Sequence, residues 1–248
     1  MYGLSTFKMS EMIECGSTLR RLGAGAHSME EAAGRIVRYL YDNMGGQQSG
    51  ERACVLIRFF KTHPYGKLDD ELKAFARSLY GGIQDFPETR CLTLLATAGD
   101  HPHWNSRKDS AGHKTIPLPS AQVVSQVPMV SQLIVQFGLE INDVVKPEPT
   151  LLAELGQKTF NVFYVEEAAG NGFVPAQEEF VARYGIRSVL GFGGMLPDGD
   201  LFAIIMFSRV HIPPEKADMF KTLSLSAKTA ILPFAEGAIF AGNKGDGR

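Results

Sequence analysis

Apolar residues recur along this chain with two different periods, and the switches between them mark out its elements. Between Ser10 and Leu22, Met12, Ile13, Leu19 and Leu22 fall at helical spacing, and Gly23-Ala24-Gly25 stops the run. Ser28-Met29-Glu30-Glu31 then has the layout of a capping box, with Ile36, Val37, Leu40 and Tyr41 on one face of the helix it opens. Ala53 to Phe60 (ACVLIRFF) is a short apolar, β-rich run, which predicts a buried strand. After a turn at His63-Pro64-Tyr65-Gly66, helical spacing returns over Asp69–Leu79, and Cys91–Thr97 alternates as a second strand. The segment from Gly99 to Leu118 is polar, carries the cluster HPHWNSRKDSAGHK, and reads as a long insertion loop. Helices are predicted at Met129–Phe137 and around Leu151–Leu155, a strand at Thr159–Val165 and a further helix at Gln177–Tyr184. Arg187–Met195 and Leu201–Ser208 flank Pro197-Asp198-Gly199, turn chemistry that predicts an antiparallel hairpin. Pro213-Pro214-Glu215 opens a last helix, Pro233 closes it, and the tail beyond is expected to fray. The order predicts an α+β fold: an antiparallel sheet flanked by helices, with a long insertion in the middle.

Composition narrows the class without reaching function. With 248 residues and 44% hydrophobic positions, the chain can bury a substantial core and is not disordered as a whole. Its 25 Lys+Arg against 27 Asp+Glu argue against a dedicated nucleic-acid binder. Cys15, Cys54 and Cys91 are odd in number and far apart, which suits a reducing compartment; Cys54 and Cys91, within apolar strands, are expected to be small inert hydrophobes, and Cys15 on the first helix carries no signal of its own. No apolar run approaches the ~18 residues of a membrane span, and the first residues lack a signal-peptide layout. A cytoplasmic protein without membrane or nucleic-acid partners is the expectation.

The run GIRSVLGFGGMLPDGDLFAIIMFSRVHIPPEKADMFKTLSLSAKTAI resembles the C-terminal half of GAF domains, in which a strand, a short turn, a second strand and a capped helix follow in this order. The earlier runs SMEEAAGRIVRYLYD and RACVLIRFFKTHPY look like that family's first helix and first strand. The likeness covers about residues 28–98 and 159–232, and is nearest to the GAF-like sensory regions at the front of bacterial histidine kinases and related two-component signalling proteins. Gly191-Phe192-Gly193-Gly194 departs from it, standing where the family has an apolar run ending in Pro. The resemblance implies a cytosolic, non-catalytic sensory domain that holds a small ligand between its sheet and covering helices. It also implies a homodimer that passes the signal to an output kinase or other signalling domain. The expected organisation is an N-terminal helix (1–27), a sensory domain (28–234, insertion about 99–158) and a flexible tail (235–248).

Several side chains are candidates for the site. Arg58 interrupts VLIRFF and either faces a pocket, holding an anion, or lies on an open sheet face. Trp104, bracketed by His103, Asn105 and Arg107 in the polar segment, either closes a ligand cavity or plugs the core beneath the insertion. Phe192 lies among glycines whose presence suggests close approach of a ligand or a covering helix to the strand. The expected ligand contacts are thus Arg58, Trp104, Asn105, Arg107 and Phe192, and the ligand's identity stays open. His101, His103 and His113 share one segment and are the candidates for a metal or haem, with a metal-dependent enzyme as one alternative. A ligand-free dimerisation module is another. Ser188 and Ser208 lack a nucleophile elbow, and Glu166-Glu167 and Glu178-Glu179 read as charged surface, so no catalytic residue is expected.

Overall fold

The computed structural model describes residues 1–46, 50–79, 87–148 and 161–242. The helix expected at Leu151–Leu155 lies outside the described residues, as do Thr159 and Phe160 of the expected third strand. A short parallel pair, β1 (Tyr2–Gly3) and β2 (Met44–Gly45), brackets helices α1 (Met9–Arg21) and α2 (Met29–Asn43). The main sheet is built from β3 (Cys54–Pro64), β4 (Arg90–Gly99), β5 (Thr115–Leu118), β6 (Phe163–Val165), β7 (Ser188–Met195) and β8 (Leu201–Ser208). Its order is β5-β4-β3-β8-β7-β6, and every pairing is antiparallel. The fold is α+β, with helices on both faces of the sheet, and β7 and β8 form the expected hairpin.

The polar segment after β4 is not wholly loop. It carries a 3-10 turn at Pro102–Trp104 and returns as β5, pairing Thr115–Leu118 with Arg90–Thr93. Pro117 is tolerated there because β5 is an edge strand with one unpaired side.

Residues of alternate parity divide the core in two. Ile57, Phe59, Leu95, Ala98, Phe192, Phe202 and Ile204 meet α1, α2 and two C-terminal helices, α7 (Pro214–Ala217) and α8 (Phe220–Ile231). On the other face Phe60, Leu92, Leu94, Ile116, Ala203, Ile205 and Phe207 meet α4 (Ala121–Val124), α5 (Pro128–Gln136), α6 (Ile141–Val145) and a π-helical stretch, Gln177–Ala182. α3 (Asp70–Leu79) packs near the β5 edge through Leu72 and Ala76. The alternation fails at two irregularities, at Val55 of β3 against β8 and at Leu95 of β4 against β3. There an extra residue shifts the register and changes which face later side chains reach.

Local chemistry explains the ends. Ser28 accepts the Glu31 backbone N–H at 3.1 Å, but the Glu31 carboxylate accepts from His27 at 2.8 Å rather than completing the box at Ser28. The N–H groups of Met29 and Glu30, which have no partner inside the helix, donate instead to the carbonyls of Ala238 and Ile239, at 2.9 and 2.8 Å. The start of the tail therefore lies against α2 over residues 238–241, with Phe240 beside His63 at 5.4 Å between ring centres. Gly199 sits at φ +79° in the β7–β8 turn, a conformation that favours glycine. The turn is pinned at Asp200, which is ion-paired with Lys61 and Arg90 and accepts from the Thr62 hydroxyl at 3.2 Å.

The apolar face of α1 does not wait for a second copy of the chain. Met12, Cys15 and Leu19 are buried against α8 of the same chain, and only Ile13 of the predicted apolar stripe is fully exposed, at 62%. The motive for dimerisation through that stripe is thereby removed. No described helix is long and apolar enough to cross a membrane.

Candidate functional site

Between the second sheet face and α5 lies a cavity of about 190 Å³. Its floor is Arg58 and Phe60 of β3, Leu92 of β4, Ile116 of β5, and Ala203, Ile205 and Phe207 of β8. These positions are two apart along their strands because successive side chains alternate faces. α5 supplies the roof through Pro128, Met129, Val130 and Leu133, and Gly172, Phe173 and Pro175 close one side. His113, at φ +57°, stands at the rim just before β5. Among the described lining side chains only Arg58 and His113 are polar.

Arg58 is the unusual group. Its Nη2 donates to the Ser110 hydroxyl at 3.3 Å, while its Nε is buried with no acceptor among the described residues. No described carboxylate pairs with it. Burial in apolar surroundings lowers its guanidinium from the ordinary 12.5 to about 10, still fully cationic at neutral pH. The register places Thr97 directly across from Arg58 on β4, and the Thr97 hydroxyl is also buried without a described partner. His113 titrates below its ordinary value, because its ring is desolvated on the cavity side and stands in the field of Arg58. The arrangement is an apolar chamber with one cation set in its floor. Such a site binds an apolar molecule and orients it by one anionic or acceptor group.

Of the residues expected at a site, the structure brings Arg58 and His113 to this cavity and places the others elsewhere. Trp104 packs edge-on in an aromatic cluster with His101, Tyr184 and Phe180, at centroid distances of 4.6, 5.0 and 5.7 Å. Asn105 staples its own loop, accepting from Gly99 N–H at 3.1 Å and donating to the carbonyls of Gly99 and His101. Arg107 is on the α2 side, paired with Glu30 at 2.8 Å and stacked on Phe240. Phe192 is fully buried on that same side against Phe220. The close approach signalled by the glycines is that of a neighbouring strand: a Cβ at Gly193 would lie 2.1 Å from the Phe202 carbonyl. His101, His103 and His113 are dispersed, and no three potential metal ligands converge among the described residues. The three thiols are buried, and desolvation pushes each up to about 12, well away from reactivity.

Phe60, Ala203, Ile205 and the α5 residues were not read from the sequence as site residues. The signal available was phase: Phe60 follows Arg58 by two positions on one strand, and Ala203, Ile205 and Phe207 keep the same parity on β8. Parity identifies a shared face, but not a gap above it.

No protein-family model matches the chain, and no curated protein matches it. Solved structures similar to it include the N-acylhomoserine lactone-dependent LuxR family transcriptional factor CepR2 from Burkholderia cenocepacia. That likeness has 11% identity and a TM-score of 0.39 over 91% of this chain and 97% of the other. Another is the chromophore-binding domain of the bacteriophytochrome RpBphP3 from R. palustris, with 10% identity and a TM-score of 0.40 over 92% of this chain. The match spans 63% of that second protein's chain. Neither likeness bears on what this chain binds.

Proposed function

We propose that this protein is a small-molecule-sensing regulatory domain whose ligand occupies the cavity between β3, β8 and α5. The observation that carries the reading is a 190 Å³ apolar cavity with an unpaired, nearly buried Arg58 in its floor. A cation held there without a described counter-ion opposes folding stability, and such arrangements cluster at functional sites. The GAF-like runs of the sequence support the same reading, with the ligand between sheet and covering helices. In this reading the output is an attached or partner signalling domain, of the histidine-kinase kind, in the bacterial cytoplasm. The described cavity lining offers no nucleophile paired with a base, which favours binding over catalysis.

The test is thermal unfolding of the full chain against a panel of small apolar compounds. A ligand raises Tm by mass action on the folded state. Ala203→Leu, which grows from the floor into the cavity, should leave a folded protein and erase that rise. If no compound raises Tm, or if Ala203→Leu leaves the rise unchanged, the cavity is not the site.

A further inference from the structure

We infer that the ligand class is a compact apolar monocarboxylate, its carboxylate on Arg58 and its hydrocarbon part against Phe60, Leu133, Ala203 and Ile205. This deepens the cavity reading and rests on it. Charge is the first argument. A guanidinium presents a planar fork of N–H donors that matches a carboxylate in a bidentate pair. Here the fork is spent only on a long hydrogen bond to Ser110, with its Nε unpartnered among the described residues. An anion seated there would supply the missing acceptor. Thr97, across the ladder from Arg58, carries a second buried hydroxyl with no partner among the described residues.

The number of charges is the second argument. Arg58 is the one full cation among the described lining residues, and desolvation and the field of Arg58 lower His113, which favours its neutral form. Two other basic residues of the segment are engaged elsewhere, Arg107 with Glu30, and Lys114 with Glu71 at 2.7 Å and the Lys108 carbonyl at 2.8 Å, and Lys108 is exposed and outside the described lining. A phosphate monoester, carrying about two negative charges near neutral pH, would bring one charge more than the site balances. One carboxylate matches.

Size is the third. A dry cavity of ~150 Å³ accommodates a benzene ring, so this one takes a ring with a carboxyl group or an alkyl chain of similar bulk. Its 190 Å³ falls below the range of about 300–1,000 Å³ that holds drug-sized ligands, which argues against haem or a nucleotide. Because the remaining described walls are apolar, the rest of the ligand is hydrocarbon, since a further polar group would be desolvated there without a partner.

The experiment is calorimetric titration of the full chain with phenylacetate and hexanoate, with phenylacetamide and hexanamide as neutral counterparts, and with toluene and inorganic phosphate. The carboxylates should bind about tenfold or more tighter than their amides, the value of one charge-assisted pair. Arg58→Gln should reduce that preference to about threefold or less while toluene still binds. Arg58→Lys, which keeps the charge but not the fork, should fall between. Equal affinity for acid, amide and toluene, unaffected by Arg58→Gln, would overturn the carboxylate assignment and leave the cavity reading standing. Arg58-dependent binding of phosphate in preference to the carboxylates would also overturn it. Failure of every probe, toluene included, removes the cavity reading itself.

Discussion

Replacing Arg58 by methionine should make the ligand-free protein more stable. Burial lowers the guanidinium from 12.5 to about 10, and each unit corresponds to ~1.4 kcal/mol between its two protonation states. The folded chain therefore carries an ionisation penalty on the order of 3 kcal/mol. The sign follows from which state holds the proton more tightly. A cation whose pKa falls on folding is protonated in both states below about 10, so the whole penalty is present at neutral pH. It fades only as pH rises from about 10 towards 12.5. Arg58 retains some exposure towards the cavity, and its hydrogen bond to Ser110 offsets about 1 kcal/mol of the penalty. Methionine keeps an unbranched apolar stem against Phe60 and Ile205 without the charge. A net gain of about 1–2 kcal/mol follows, and for a chain of this size that is roughly 2–8 °C in Tm. Urea unfolding followed by circular dichroism, with the slope of the transition compared between proteins, measures it directly. A lower midpoint for Arg58→Met at unchanged slope would refute the reasoning, because it would mean the cation is already well paired in the fold. The gain belongs to the empty protein alone, and the same substitution should weaken the response to phenylacetate.

Two further outcomes are expected. Trp104→Ala should cost about 3 kcal/mol, the low end for a large aromatic because the ring is half-buried, and should leave the Tm rise with phenylacetate intact. Loss of that rise in a still-stable protein would show that Trp104 touches the ligand. Below pH 6.5 the protein should lose stability through His63, which is 3% exposed and held well below its ordinary value by burial and by the charges of Lys61, Arg90 and Lys67. The unfolded chain takes up a proton that the fold refuses, so stability falls with pH at up to ~1.4 kcal/mol per unit. His63→Phe should flatten that part of the pH profile, and identical profiles for the two proteins would remove His63 as the cause.

Much of the fold was legible locally. The helical spacing of Met12, Ile13, Leu19 and Leu22 placed α1 to within a residue at either end, and Ser28 marked the start of α2. Pro197-Asp198-Gly199 identified the β7–β8 hairpin, because turn preference and strand alternation are properties of neighbouring residues. Arg58 was also visible, as a charge within an apolar strand. Whether it faced a pocket or an open surface was not, because that depends on strand register across irregularities in β3 and β4 and on what α5 leaves unfilled above it. The same limit applies to Trp104, Arg107 and Phe192. Composition placed Trp104 and Arg107 in one polar segment, but tertiary packing sent Trp104 to Phe180 and Tyr184 and turned Arg107 to Glu30 and Phe240 on the α2 side. The partner of α1 lies some two hundred positions along the chain, in α8, and no local period can point to it. Periodicity records which side of an element is apolar; only the folded contacts decide what that side meets and where a gap remains.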